Sequence, residues 1–254
     1  QLLITMGNHE FYNGFSTEQT IQNFMQMFGE NAHVVINGFH FIYFAPDVGQ
    51  GESFSAQTLR WVENELAIAV EDNPNLPIFV MQHQHPQDTV YGSDDWGRSE
   101  LNAIFNKYPQ VVDFSGHSHY PINDPRSAWQ GIYTAFGTGT LHYYEMGING
   151  YKTAGVFPSG NGGWASSPSA GSSAGLFQIV EVDATGSFRI SIIEIDTNQV
   201  IGYYYVRNAA EGFKLKYSHT IRQANSEKPA FKQGDELTVS CDSLLAQATV
   251  TIPQ

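Results

Sequence analysis

Histidine, asparagine and glycine recur at three points of the chain: Gly7-Asn8-His9-Glu10, Gln82-His83-Gln84-His85-Pro86 and Gly116-His117-Ser118-His119. Imidazole nitrogens and a carboxamide oxygen are borderline donors that suit transition metals such as Mn²⁺, Fe or Zn²⁺. A single histidine after a strand is ordinarily a hydrogen-bonded structural residue. A Gly-His-x-His turn together with a third histidine at another strand end shifts the reading to metal binding by His83, His117 and His119. Within that turn the two side chains diverge, so they suit two adjacent ions better than one. Gly116 and Ser118 are small and let the backbone come close to an ion.

Asn8 can serve as a ligand or as an ordinary turn residue. His9 points away from its neighbour Asn8, which suits it to give a proton or a hydrogen bond to a leaving group. Glu10 either orients His9 or begins the next turn. His85 reads as a substrate contact or as an outer residue behind the ligands. Arg126 offers a planar donor for a phosphate, or an ion pair with Asp124. His33, His40, His142 and His219 lack partner spacing and default to structural roles. His9-Glu10 is not a zincin motif, because Asn13 stands where the second histidine would be. The chain has no Gly-x-Ser-x-Gly elbow, phosphate loop or dinucleotide fingerprint.

Each histidine-bearing segment follows an apolar, β-branched run: Leu2–Met6, Pro77–Met81 and Val111–Phe114. Such runs predict buried strands, and in open α/β sheets ligands gather beyond the carboxyl ends of strands. Ser16 with Gln19 three residues on predicts a helix start. Its stripe of Ile21, Phe24, Met25 and Phe28 is expected in the core, with Gly29 as the stop. Asn37-Gly38 between two apolar runs predicts a hairpin. Ser55 predicts a second helix burying Leu59, Val62, Leu66 and Ala69, and Arg98–Lys107 a short third. Beyond the last histidine motif, Ile132–Phe136 and Thr140–Tyr144 read as strands and Phe157–Gly175 as a loop. Phe177–Asp183, Ser187–Asp196 and Val200–Val206 read as a further sheet. Residues 1–224 are expected to form one domain. Residues 225–254 are expected to form a β segment, either extra strands or the start of another module.

The 254 residues are enough for a full core, and a formal charge of −13 with only 12 Lys and Arg excludes the basic stripe of a nucleic-acid binder. Phosphate chemistry on such a chain needs cations at the site itself. Cys241 is alone, so no intrachain disulfide or thiolate-rich zinc site forms. No apolar run approaches the ~20 residues of a membrane span. Many Asn, Gln, Ser and aromatic residues with few Lys fit a secreted or cell-surface protein. The chain opens within an apolar run, which predicts that further sequence precedes it.

The three motifs, in this order and with these gaps, resemble those of the calcineurin-like metallophosphoesterase superfamily, the group of purple acid phosphatases and phosphodiesterases. By pattern count the resemblance covers roughly the first two-thirds of the chain. It implies an α/β protein whose two-sheet β-sandwich is flanked by helices, with two divalent ions at the strand ends. Carried across, Asn8, His83 and His117 hold one ion, His119 holds the other, and His9 supports departure of the leaving group. The implied reaction is hydrolysis of a phosphate mono- or diester by a metal-bridging hydroxide, on a small phosphate ester substrate. The family also opens with an Asp-x-His and then a Gly-Asp block, whose Asp bridges the ions, and neither precedes Gly7. The expectation is therefore an upstream segment of a parent chain that completes the site, with weak metal binding and little hydrolysis by these residues alone. The alternative is a degenerate fold of the same kind that serves as a binding or scaffold module.

Overall fold

Two of the three apolar runs that precede histidines become the central strands of a six-stranded sheet. A computed structural model of the protein describes residues 2–141, 145–147, 164–166, 175–207, 217, 224, 238–242 and 247–251. Helix α1 (Thr17–Phe28) starts where Ser16 Oγ accepts from Gln19 N at 3.2 Å and stops at Gly29, whose φ is 92°. Strands β1 (Ala32–Ile36) and β2 (Phe39–Tyr43) are antiparallel, with Ile36 opposite Phe39. Asn37 and Gly38 between them have φ of 52° and 82°, as a type I′ turn requires. Helix α2 (Ala56–Asp72) is capped by Ser55 Oγ, which accepts from Thr58 N at 3.1 Å and donates to Asp47 at 2.6 Å. Val62, Leu66 and Ala69 on its inner face are fully buried.

Strand β3 (Ile78–Gln82) leads through α3 (Ser93–Trp96) and α4 (Ser99–Phe105) to β4 (Val111–Ser115), then to β5 (Ala128–Gln130) and β6 (Thr134–Gly137). The sheet order is β1-β2-β3-β4-β6-β5; β2, β3, β4 and β6 run parallel, and β1 and β5 are antiparallel edges. A parallel interior buries both of its faces, and two apolar clusters flank this one. Ile42, Ile78, Val80 and Val111 pack with Val62, Leu66 and Leu101 from the helices. Phe79, Val112 and Phe136 pack on the other side against Phe188, Ile190 and Tyr204. The latter come from an antiparallel sheet of β9 (Leu176–Val182), β10 (Phe188–Glu194) and β11 (Gln199–Val206) in the order β11-β10-β9. The molecule is thus a mixed α/β protein with two facing sheets and helices outside the larger one. No helix among the described residues is long and apolar enough to cross a membrane.

Several expectations are corrected. Leu2–Met6 belongs to no sheet, and Leu2 is 81% exposed. A strand needs a ladder partner, and the segment's side-chain tie to the sheet is Thr5 Oγ1 donating to Phe44 O at 2.6 Å. The stripe of α1 is not core: Met25 and Phe28 are exposed. Ile21, Phe24 and Met25 instead line an open cavity of about 330 Å³ beside Met6, Phe44 and Trp61. Within the stretch read as a loop, Trp164–Ser166 is a strand (β8) paired with Glu145–Gly147 (β7), and the rest of 157–174 lies outside the described residues. Thr140 and Leu141 are not in a strand, and 142–144 lie outside the described residues. The C-terminal segment contains a hairpin of β12 (Thr238–Asp242) and β13 (Gln247–Thr251).

Candidate metal centre

At the carboxyl ends of β3 and β4 the chain releases His83 and Gly116-His117-Ser118-His119 side by side. The backbone locks the two loops together, Gly116 N donating to His83 O at 3.1 Å. His83 Nε2 lies 2.7 Å from Asn8 Oδ1 and 3.1 Å from His117 Nδ1. One oxygen and one nitrogen from two distant segments therefore approach the same His83 nitrogen. Donor–donor separations near 3 Å are those of neighbouring ligands around an ion with bonds of ~2.1 Å.

Asn8 is buried in a one-turn 3-10 helix (Asn8–Phe11), closed by the Glu10 carboxylate accepting from Gly7 N at 2.7 Å. Of the two readings of Glu10, the geometry is that of the turn. Asn8 Nδ2 donates to Tyr12 Oη at 2.8 Å, which aims the amide oxygen at His83. Behind it the loop at Gly51 closes in: a Cβ there would lie 2.8 Å from Asn8 Cα and 2.6 Å from the Phe11 ring. Gly51 O also accepts from Gln84 Nε2 at 3.0 Å. Gly7 presses on the His83 ring, where a Cβ would sit 2.7 Å from Cε1 and Nδ1.

His117 and His119 both hold left-handed backbone, with φ of 60° and 55°. For residues with a Cβ this costs on the order of 1 kcal/mol each, the kind of strain that accompanies functional sites. The two side chains diverge. His117 turns to His83, while the His119 ring lies 5.6 Å from that of exposed His9. Trp96 meets the His117 ring edge-on at 5.3 Å.

Burial holds the imidazoles neutral. Desolvation, then the neighbouring rings, beginning with His117, push His83 down to about 3. Desolvation and then the charge of Arg98 push His117 down to about 4. His119 is lowered too, by burial and then by His9. Neutral rings keep the nitrogen lone pair that a metal needs, so Asn8, His83 and His117 fit as donors to a divalent cation. No carboxylate joins them: among the described residues no three His, Cys, Asp or Glu side chains are placed to hold an ion.

Two residues read as substrate contacts are differently engaged. His85 is fully buried, with Nδ1 2.7 Å from Ser115 Oγ and its ring 6.5 Å from that of His117. Arg126 is paired with Asp124 through Nη2 at 2.6 Å and Nε at 2.9 Å, and it stacks on Tyr91. That is the ion-pair reading. Arg98 went unnoticed in the sequence, having no motif around it. Its backbone bridges to Pro86, its charge reaches His117, and its Nε is buried without a hydrogen-bond partner. Tyr12 and Gly51 were also missed, because what positions Asn8 from outside is set by the folded loops.

Residues 1–121 match the family model for calcineurin-like phosphoesterase, a shorter stretch than the two-thirds suggested by the motifs. No curated protein matches the chain. Among solved structures, purple acid phosphatase PPD1 from yellow lupin (Lupinus luteus) seeds is 14% identical with a TM-score of 0.42, over 69% of this chain and 32% of that one. A dimetal phosphatase from Danio rerio is 13% identical with a TM-score of 0.46, over 85% of this chain and 72% of that one. The chain thus spans about a third of the length of the lupin protein.

Proposed function

From the match of residues 1–121 to the family model for calcineurin-like phosphoesterase, a family that uses divalent metals, we propose that the intact protein hydrolyses phosphate mono- or diesters with metal ions at the Asn8–His83–His117 cluster. The observation that carries this reading is the approach of His83 Nε2 to both Asn8 Oδ1, at 2.7 Å, and His117 Nδ1, at 3.1 Å. Those three residues would hold one ion, and His119, turned the other way, would serve a second. Bound divalent cations supply Lewis-acid polarisation of the phosphoryl oxygens and offset their charge. The protein's own groups do the rest. Tyr12 fixes the Asn8 amide, and half-buried, neutral His83 and His117 keep lone pairs available to an ion. His9, exposed on the rim beside His119, donates a proton to the leaving oxygen. Arg98, whose charge reaches His117, takes the place of Arg126 as the cation that steadies the phosphoryl group. In the −13 chain, that local positive charge is what admits an anionic ester.

Calorimetric titration with Mn²⁺ or Zn²⁺, followed by hydrolysis of a chromogenic phosphodiester, tests the proposal. Expected of the intact protein are a stoichiometric binding event and metal-dependent turnover, both lost in His117→Ala. Specific metal binding without turnover would favour a second reading, a non-catalytic module. No metal binding at all would remove both.

A further inference from the structure

Away from this site, four titratable side chains form an unbroken line between the β1–β2 hairpin and α2. Glu65 Oε2 lies 2.8 Å from His33 Nδ1, His33 Nε2 lies 2.7 Å from His40 Nδ1, and His40 Nε2 lies 2.9 Å from Asp72 Oδ2. The two histidines are diagonal neighbours on one face of the hairpin, since His33 registers with Ile42 and His40 with Val35. Both rings are largely covered, at 11% and 5% side-chain exposure, whereas Asp72 is 66% exposed. Two neutral groups also border the line. Asn64 Nδ2 reaches the second oxygen of Glu65 at 3.4 Å, and Ile78 of β3 registers with His40.

Counting protons shows what the line requires. Each of its three contacts needs one hydrogen, on one side only. With both carboxylates ionised, His33 donates to Glu65 and His40 to Asp72, and that uses the single proton of each neutral ring. The contact between the rings then has two lone pairs facing at 2.7 Å. One further proton satisfies it. A fourth would set N–H against N–H. We propose that this line captures one proton beyond the two of neutral imidazoles, and that this shared proton locks the outer hairpin of the sheet onto α2, making the lock pH-sensitive.

Deprotonation at alkaline pH leaves one contact unmade and loosens the hairpin. Uptake of the fourth proton in acid loosens it from the other side. Glu65→Gln isolates the effect, because a carboxamide can donate to His33 Nδ1 and so satisfy all three contacts with two neutral rings. Asp72→Asn does the same from the exposed end, where the fold tolerates substitution most readily.

The test is ¹⁵N–¹H NMR of the imidazoles in the full chain, with urea unfolding from pH 7 to pH 9. The wild type should show three protected N–H protons for the pair and each variant two. The wild-type folding constant should fall about ten-fold over that interval, the cost of one unmade buried contact, and that of either variant less than about two-fold. Two protected protons in the wild type, or the same alkaline slope in both variants, would overturn the proposal.

Discussion

Two glycines flank the His83 ring, and a methyl group added at each should have opposite consequences. A Cβ at Gly7 would lie 2.7 Å from Cε1 and Nδ1 and 3.0 Å from Nε2, whereas a Cβ at Gly116 would lie 3.4 Å from Nδ1. Carbon contacts settle near 3.5–4.0 Å. Gly7→Ala therefore drives the ring back by about 0.8 Å, and Gly116→Ala leaves it nearly in place. A retreat of that size takes His83 Nε2, now 2.7 Å from Asn8 Oδ1, beyond hydrogen-bond reach. Overpacking costs about 1–3 kcal/mol of stability. Metal affinity should fall by about 10- to 100-fold, as it does when a ligand's support is lost. Titration calorimetry with Mn²⁺ on both variants, alongside urea unfolding, reads the two effects separately. If Gly7→Ala binds metal as the wild type does while remaining folded, His83 is not a ligand held in place by that contact. If Gly116→Ala weakens binding as much as Gly7→Ala, the steric reasoning fails.

Acid should destabilise the metal-free protein. His83 and His117 titrate near 6.5 when unfolded and at about 3 and about 4 when folded, so below 6.5 the unfolded state binds more protons. Stability is complete above that value and falls with pH, by about 2 kcal/mol per ring between pH 7 and pH 5; urea unfolding should show the slope, and His117→Gln should lower it. Tyr12→Phe leaves the Asn8 Nδ2 without its partner. It should cost about 1 kcal/mol in thermal unfolding and weaken metal binding several-fold. Arg126→Gln should lower stability by breaking the Asp124 pair while leaving KM for a phosphodiester unchanged. Arg98→Gln should raise KM, and the reverse pattern would exchange their roles.

Local features were legible because local chemistry decides them. Asn37-Gly38 can take positive φ cheaply, and Ser16 and Ser55 can each accept from a free amide, so the hairpin and two helix starts lie where they were expected. The histidine motifs after β3 and β4 were equally visible as strand-end loops. What escaped depends on partners remote in sequence. Leu2–Met6 has the composition of a strand, but composition does not supply a neighbour to bond with. The period of α1 marks one apolar face without saying whether a layer covers it. His33 and His40 have no motif spacing, and only the hairpin diagonal and the α2 carboxylates make them a line. Asp113 sits in a strand read as apolar. It is wholly buried, accepts from Gln82 Nε2 at 3.0 Å, and is pushed up to about 7 by desolvation.

Residues 2–7 enter no sheet, so the carboxamide arm of the cluster hangs on side-chain clasps while both imidazole arms grow from sheet strands. A cation seated among all three would bind that leading strip to the strand ends across 75 positions of chain. Amide exchange at Met6 to Phe11 should then slow on metal addition more than exchange anywhere in β3 or β4, which makes the leading strip the natural reporter of occupancy.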